Sequence, residues 1–176
     1  MTDSNQTQDT SAGSEGGNGS RVLEGRRVAF LAGQGVEQIE LTDPMKAVRA
    51  AGGEPVLVSY SDGSFVAMNG DWEHADSFVV DVAVAEAEVA DYDGLVLPGG
   101  TLNADAGRID EDVRRFVAAF HETGRPLAAI CHAPWLLIDA GLASGVKLTS
   151  YISCKVDLVN AGGLRKPGIF CRTGSR

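Results

Sequence analysis

Cys131 and His132 are neighbours in the stretch Pro126-Leu127-Ala128-Ala129-Ile130-Cys131-His132-Ala133-Pro134-Trp135. A thiol beside an imidazole suits nucleophilic chemistry: the ring moves a proton and the sulfur attacks carbon. The apolar run Leu127 to Ile130 reads as a buried strand and meets Cys131 with no turn residues between. Pro134 then opens a run whose apolar positions suit a helix, and Gly141 sits where that helix would end. A strand that runs straight into a helix forces a sharp elbow. The side chain at the elbow is pushed out at the carboxyl edge of the sheet, beside the helix's free N–H groups. Those groups and the helix dipole favour a thiolate. The alternative is an inert buried thiol, the usual fate of cysteine.

Two further places could serve such a sulfur. Glu37 and Glu40 fall just after the first predicted strand, at the edge where parallel α/β folds build sites. Their alternative reading is a pair of solvated carboxylates favoured by a helix start. Pro98-Gly99-Gly100-Thr101 follows another predicted strand. Paired glycines let the backbone approach a ligand and turn its N–H groups outward. The amides of Gly100 and His132 could form an oxyanion hole, or the pair could be only a tight turn. No Lys-Ser/Thr follows, so the pattern is not a P-loop. His74 reads as a surface or edge residue and His121 as a structural cation near a helix end. Cys131, Cys154 and Cys171 are odd in number and widely spaced, which implies neither a disulfide framework nor a zinc site.

The elements that must position these groups alternate along the chain. Arg27–Ala32, Pro55–Ser59, Gly94–Pro98, Leu127–Ile130 and Val146–Thr149 read as strands. Phe65–Met68 and Phe78–Val82 read as a strand pair bracketing a polar loop, Asn69 to Ser77. A helix ends at Gly52-Gly53. It starts either at Asp43-Pro44 or near Glu37 with a bend at Pro44. Ala85–Ala90 is a short helix, Asp110 opens a clear one with the stripe Val113, Phe116, Val117 and Phe120, and Ser153–Ala161 forms another. Strands alternating with helices imply a parallel sheet with helices on both faces.

The 176 residues, 44% of them hydrophobic, suffice for one domain of about 150 residues plus a tail. Met1 to about Gly25 is polar and reads as a disordered tail. The formal charge of −9 argues against nucleic acid or an anionic membrane as the main partner. No apolar run has the length of a membrane span and the N-terminus lacks a secretory pattern, so a reducing cytoplasm is expected.

Five motifs in order carry a family resemblance: Gly35-Val36-Glu37-Gln38-Ile39-Glu40-Leu41, Leu95-Val96-Leu97-Pro98-Gly99-Gly100, Ala129-Ile130-Cys131-His132-Ala133-Pro134, Leu148-Thr149-Ser150-Tyr151 and Asp157-Leu158-Val159-Asn160-Ala161-Gly162. Together they resemble the PfpI-type intracellular protease family of the class I glutamine amidotransferase-like superfamily, which also holds the parkinsonism-associated deglycase. The resemblance covers residues 26 to 163. It implies an α/β, flavodoxin-like three-layer sandwich with a mostly parallel central sheet, and a homodimer or larger homo-oligomer sharing its sites. By the same resemblance Cys131 is the nucleophile and His132 its histidine. Glu40, with Glu37 near it, is the acid at the thiol, where a protonated carboxyl would stabilise the thiolate. The resemblance also gives Gly100 and His132 as the oxyanion hole. It implies no metal and no organic cofactor.

Three positions depart from the family pattern. Ala133 stands where glycine is common. Ala104 stands where some family proteases carry a histidine-orienting Glu, with Asp105 beside it as a substitute acid. Leu164 to Arg176 holds four Lys/Arg and no acid where the family continues with a strand pair and a closing helix. That segment reads as an atypical basic tail, and a truncated or frame-altered C-terminus with an uncovered sheet face is the expectation. The function expected is a cysteine-dependent hydrolase or lyase of protease, deglycase or glyoxalase III type, acting on peptide, glycated or small aldehyde carbonyls. The alternative is a redox sensor or holdase chaperone using the same cysteine.

Overall fold

Alternation along single strands decides the architecture. In β1 (Arg27–Leu31), Val28 and Phe30 face one layer while Ala29 and Leu31 face the other. In β2 (Glu54–Ser59), Leu57 goes with the first set and Val56 and Val58 with the second. In β6 (Gly94–Leu97), Leu95 and Leu97 join the second set. A sheet apolar on both faces needs cover on both. The computed structural model describes residues 21–165 and 171–172, the last two and Arg165 as backbone.

The cover differs between faces. One layer is built from α2 (Thr101–Ile109), α3 (Glu111–Glu122) and α4 (Pro134–Asp139), with Phe116, Val117 and Phe120 of α3 buried on the sheet. The other is α1 (Gln38–Ala50) with the hairpin of β3 (Ser64–Asn69) and β4 (Glu73–Val79), which bury Leu41, Met45 and Phe65 against Phe30. Full burial of a side chain such as Phe30 or Phe120 stabilises by about 1.5–3 kcal/mol relative to exposure.

The central sheet runs β10-β7-β6-β1-β2-β5, with β5 at Val82–Ala83, β7 at Leu127–Ala129 and β10 at Cys171–Arg172. Every pair is parallel except β10 with β7, where Cys171 lies opposite Ala128. All the parallel strands therefore end on one edge, and the candidate residues gather there.

Several elements differ from the sequence expectation. The helix begins at Gln38 and Pro44 lies inside it, so Asp43 does not cap it. β4 begins at Glu73, well before the expected Phe78. It is mostly exposed and polar, so it shows no alternation to read. Val146–Thr149 contributes only β8 (Lys147–Leu148), which pairs with β9 (Leu164–Arg165) outside the central sheet. The expected basic tail thus carries β9 and β10, two short paired strands. Ala85–Ala90 forms two 3-10 turns, and Ser153–Ala161 holds α5 (Lys155–Asn160) after one more. The α2 helix has no apolar stripe in its sequence, and the pattern does not predict it. At the N-terminus Arg21–Gly25 is a turn tied to α1 by the Leu23 N–H, which donates to Ala51 O at 2.9 Å. The rest of the expected tail, residues 1–20, lies outside the described residues, as does the Cys171 side chain.

Candidate active site

Cys131 occupies the junction of β7 and α4 with φ of 56°. A left-handed backbone at a residue with a β-carbon is uncommon and is held only where the surroundings impose it. Here the Tyr151 N–H donates to Cys131 O at 2.7 Å, and Ala133 N–H closes the turn on Ile130 O at 2.9 Å. The elbow leaves Cys131 half-buried while His132 is 4% exposed. Its sulfur lies 3.2 Å from His132 Nδ1.

Glu40 reaches this sulfur from the first turn of α1. Its carboxyl hydrogen-bonds the Cys131 thiol, and its Oε2 accepts the Gly99 N–H at 2.9 Å. Only glycine fits at 99, because a β-carbon there would stand 2.5 Å from Glu40 Oε2 and 2.6 Å from Cys131 Cβ. Gly100, with φ of 89°, brings its N–H beside the sulfur, and the Gly100 and His132 amides together favour the ionised form of Cys131. Asn103, buried in α2, locks the glycine turn: its Nδ2 donates to Pro98 O and Gly99 O, both at 3.0 Å, while its Oδ1 accepts from Gly33 N–H at 2.8 Å.

The electrostatics around the sulfur pull in opposite directions. Burial and the charge of Glu40 push the Cys131 thiol up to about 12, against the two N–H donors. The α4 helix has six residues, too short for a strong dipole to reverse this. Burial also raises Glu40, with the charges of Glu37 and Asp71 adding to it. His132 is held below its ordinary value by burial, which outweighs the pull of Asp71. With the thiol pushed up and the imidazole pushed down, attack by the sulfur calls for a base.

The other sequence candidates take separate places. Glu37 accepts the Gly70 N–H at 2.8 Å and so anchors the tip of the β3–β4 hairpin. Asp105 is exposed on α2, where its charge acts on Arg108. Three residues that sequence reasoning did not single out stand behind the imidazole. His132 Nε2 lies 3.1 Å from Ser153 Oγ and 3.5 Å from Thr101 Oγ1. The Thr101 hydroxyl donates to Asp71 Oδ2 at 2.7 Å. Tyr151 and Trp135 flank the ring, with centroids 4.6 and 5.2 Å away. Asn69-Gly70-Asp71 is a tight-turn signal that could have pointed to the hairpin tip. Among the described residues no group of three or more His, Cys, Asp or Glu side chains could hold a metal ion.

A mostly parallel sheet covered on both faces, with a cysteine at a strand-to-helix elbow beside a histidine and a half-buried carboxyl, defines an α/β protein with its candidate site at one sheet edge. The chain belongs to the DJ-1/PfpI family, whose pattern matches residues 26–165. It is 36% identical over 137 residues to a Bacillus subtilis protein named "Putative cysteine protease YraA", covering 78% of each chain. It is 33% identical over 136 residues to "Deglycase PfpI" of Pyrococcus furiosus, covering 77% of this chain and 78% of that one. Among solved structures it superposes with a TM-score of 0.76 and 30% identity on a two-domain protein from Anabaena variabilis with DJ-1/ThiJ/PfpI-like and ferritin-like domains. That match covers 81% of this chain and 40% of the other. No described helix is long and apolar enough to cross a membrane.

Proposed function

We propose that the chain is a cysteine-dependent hydrolase or lyase acting on the carbonyl of a peptide, a glycated amine or a small aldehyde. The observation that carries this reading is the strained elbow that sets the Cys131 sulfur 3.2 Å from His132 Nδ1, beside two amides that favour its ionised form. His132 Nδ1 takes the thiol proton as the sulfur bonds the carbonyl carbon. The oxygen of that carbon gathers charge and is held by the Gly100 and His132 amides. Glu40 accompanies the sulfur, and its proton affinity, raised by burial, lets it share the proton the thiol gives up. The relatives named as protease and deglycase support the class, and the substrate is a choice among the three carbonyl types. Glyoxalase-type turnover of methylglyoxal is the first assay. Cys131→Ala abolishes it under this reading, and a variant that keeps full turnover sinks the reading.

Exposed Trp72, Leu102 and Ile152 adjoin Asp71, Thr101 and Ser153 in sequence, and half-exposed Tyr151 flanks the His132 ring. We propose that a second copy of the chain covers them, in a cytoplasmic homodimer or larger ring. A monomer in sedimentation at micromolar concentration refutes this.

The redox alternative rests on one observation, the half-buried sulfur beside an acid and two N–H donors that could hold sulfinate oxygens. Peroxide that modifies Cys131 alone, in a chain without carbonyl turnover, favours it.

A further inference from the structure

We propose that Asp71, at the tip of the β3–β4 hairpin, is a positioning residue that works through the Thr101 hydroxyl to hold His132 in the tautomer whose free Nδ1 faces the Cys131 sulfur. The inference rests on the reading of Cys131 as nucleophile and adds to it the device that prepares its base.

The first observation is backbone strain. Among the described residues, Asp71 and Cys131 are the two non-glycine positions with positive φ, at 64° and 56°. They are sixty residues apart in sequence and meet at one site. Asp tolerates the left-handed region better than most residues, yet the conformation is kept only where neighbours fix it. The fixing contacts are present. Gly70 N–H is held by Glu37, Met68 N–H donates to Val36 O at 2.8 Å, and Gly35 N–H donates to Val66 O at 3.0 Å. The hairpin is thereby sewn to the carboxyl edge of the sheet, and its tip is presented to the start of α2.

The second observation is a count of protons. The Asp71 carboxylate accepts twice from one residue: the Thr101 N–H at 2.8 Å and the Thr101 hydroxyl at 2.7 Å. An ionised carboxylate has only acceptors, and a threonine hydroxyl has one proton. Once that proton is given to Asp71, Thr101 Oγ1 can only accept from His132 Nε2, 3.5 Å away. A hydrogen on Nε2 satisfies that acceptor, whereas a bare Nε2 would face two hydroxyl oxygens with only the Ser153 proton between them. Ser153 Oγ, at 3.1 Å, can accept the same hydrogen and adapt its own. A neutral imidazole protonated at Nε2 has its lone pair at Nδ1, the atom facing the sulfur at 3.2 Å.

Of the groups at the ring nitrogens, the Ser153 hydroxyl and the Cys131 thiol can each adapt, and only Thr101 has its proton committed, to Asp71. The α4 side offers Trp135 and the loop before α5 offers Tyr151, both through ring faces. Cys131 supplies a donor at Nδ1 only while it is protonated. Ala104, where the family's orienting acid stands in some proteases, has no polar side chain. An acid delivered through a hydroxyl from a hairpin can take its place within one chain.

The reaction step is balanced. When the sulfur adds to an aldehyde carbonyl, the C–S bond forms and the C=O π pair moves to oxygen. The thiol proton passes to Nδ1 and then to that oxygen. A ring protonated at Nδ1 instead has no lone pair there to take it.

The decisive variant is Asp71→Asn. It keeps the shape but replaces one acceptor by an NH2 donor. The introduced amide then donates to Thr101 Oγ1, the freed Thr101 proton turns to Nε2, and the tautomer reverses. Nitrogen-15 spectra of His132 in the full chain read this directly, without any substrate. The expected result is an Nε2–H ring in the parent and an Nδ1–H ring in Asp71→Asn. Thr101→Val, which removes the relay, is expected to lose the pure Nε2–H signature, and Thr101→Ser to retain it. Addition of methylglyoxal to the Cys131 thiol, followed as loss of free thiol, is expected to slow by about tenfold or more in Asp71→Asn. An Nδ1–H ring in the parent, or an Nε2–H ring retained in Asp71→Asn, overturns the proposal. Methylglyoxal consumption that persists in Cys131→Ala overturns the nucleophile reading instead, and leaves the tautomer measurement standing.

Discussion

Replacing Glu40 by Gln tests the electrostatics of the elbow most directly. The parent thiol is pushed up to about 12 by burial and by Glu40's charge, while the Gly100 and His132 amides pull it down. Glutamine keeps an oxygen for the Gly99 N–H and removes the charge. A like charge in contact is worth about 1–3 pH units, so the Cys131 titration should fall by that amount. Each unit raises the thiolate fraction at pH 8 about tenfold. A less basic thiolate is intrinsically slower, with a Brønsted slope of about 0.4–0.5. The net gain in alkylation rate at pH 8 is then about 3- to 60-fold. The assay is iodoacetamide labelling from pH 6 to 11, read by mass spectrometry on the peptide that holds Cys131, since Cys154 is buried. A parent midpoint already below 7 that rises in Glu40→Gln would refute the reasoning. It would mean that the proton resides on Glu40 and that the carboxylic acid holds the thiolate.

Other outcomes follow from the same contacts. Gly99→Ala drives a β-carbon into Glu40 Oε2, Cys131 Cβ and the Ile130 carbonyl, and should cost about 1–3 kcal/mol in urea unfolding while misplacing the sulfur. Glu37→Gln weakens the charged acceptor of the Gly70 N–H, so amide exchange at Gly70 and Asp71 should accelerate several-fold with the sheet amides unchanged. Burial raises the Glu40 carboxyl, so the folded chain binds its proton more tightly than the unfolded chain does. Its contribution to stability is complete below the ordinary value of 4.5 and is lost as pH rises through the raised one. The thermal midpoint of Glu40→Gln relative to the parent should therefore improve from pH 4 to pH 8, and an unchanged difference would count against it.

The four inner strands β1, β2, β6 and β7 were legible because they are short apolar runs bounded by glycine or proline, a pattern that survives in one dimension, whereas the two-residue edge strands β5 and β10 were not. Phe116, Val117 and Phe120 were legible for the same reason in a 3.6-residue period. What escaped were elements whose stability comes from somewhere other than an apolar stripe. The α2 helix is anchored by Asn103 and by the glycine turn before it, and β4 by pairing with β3 along a polar face. Cys131, His132 and Gly100 could be picked out because they follow strand ends, where the topology collects side chains, and Glu40 because it opens the helix after the first strand. Asp71 and Thr101 could not. One looked like loop polarity and the other like the last residue of a turn, and only the hairpin's fold onto the sheet edge brings them behind the ring.

The direction of the thiol's titration was beyond the sequence for a related reason. A helix start after a strand argues for a thiolate if the helix is long and the acid nearby is neutral. Here the helix has six residues, and the acid is held at the sulfur by Gly99. Two terms of opposite sign then act on one atom, and their balance depends on fractions of an ångström that no spacing encodes. A neutral thiol in turn makes the state of Nδ1 decisive, because a sulfur that is not already ionised reacts only as fast as its proton can leave. On the proposed reading the chemistry at Cys131 is governed by which nitrogen of His132 is bare, and a hairpin sixty residues upstream makes that choice.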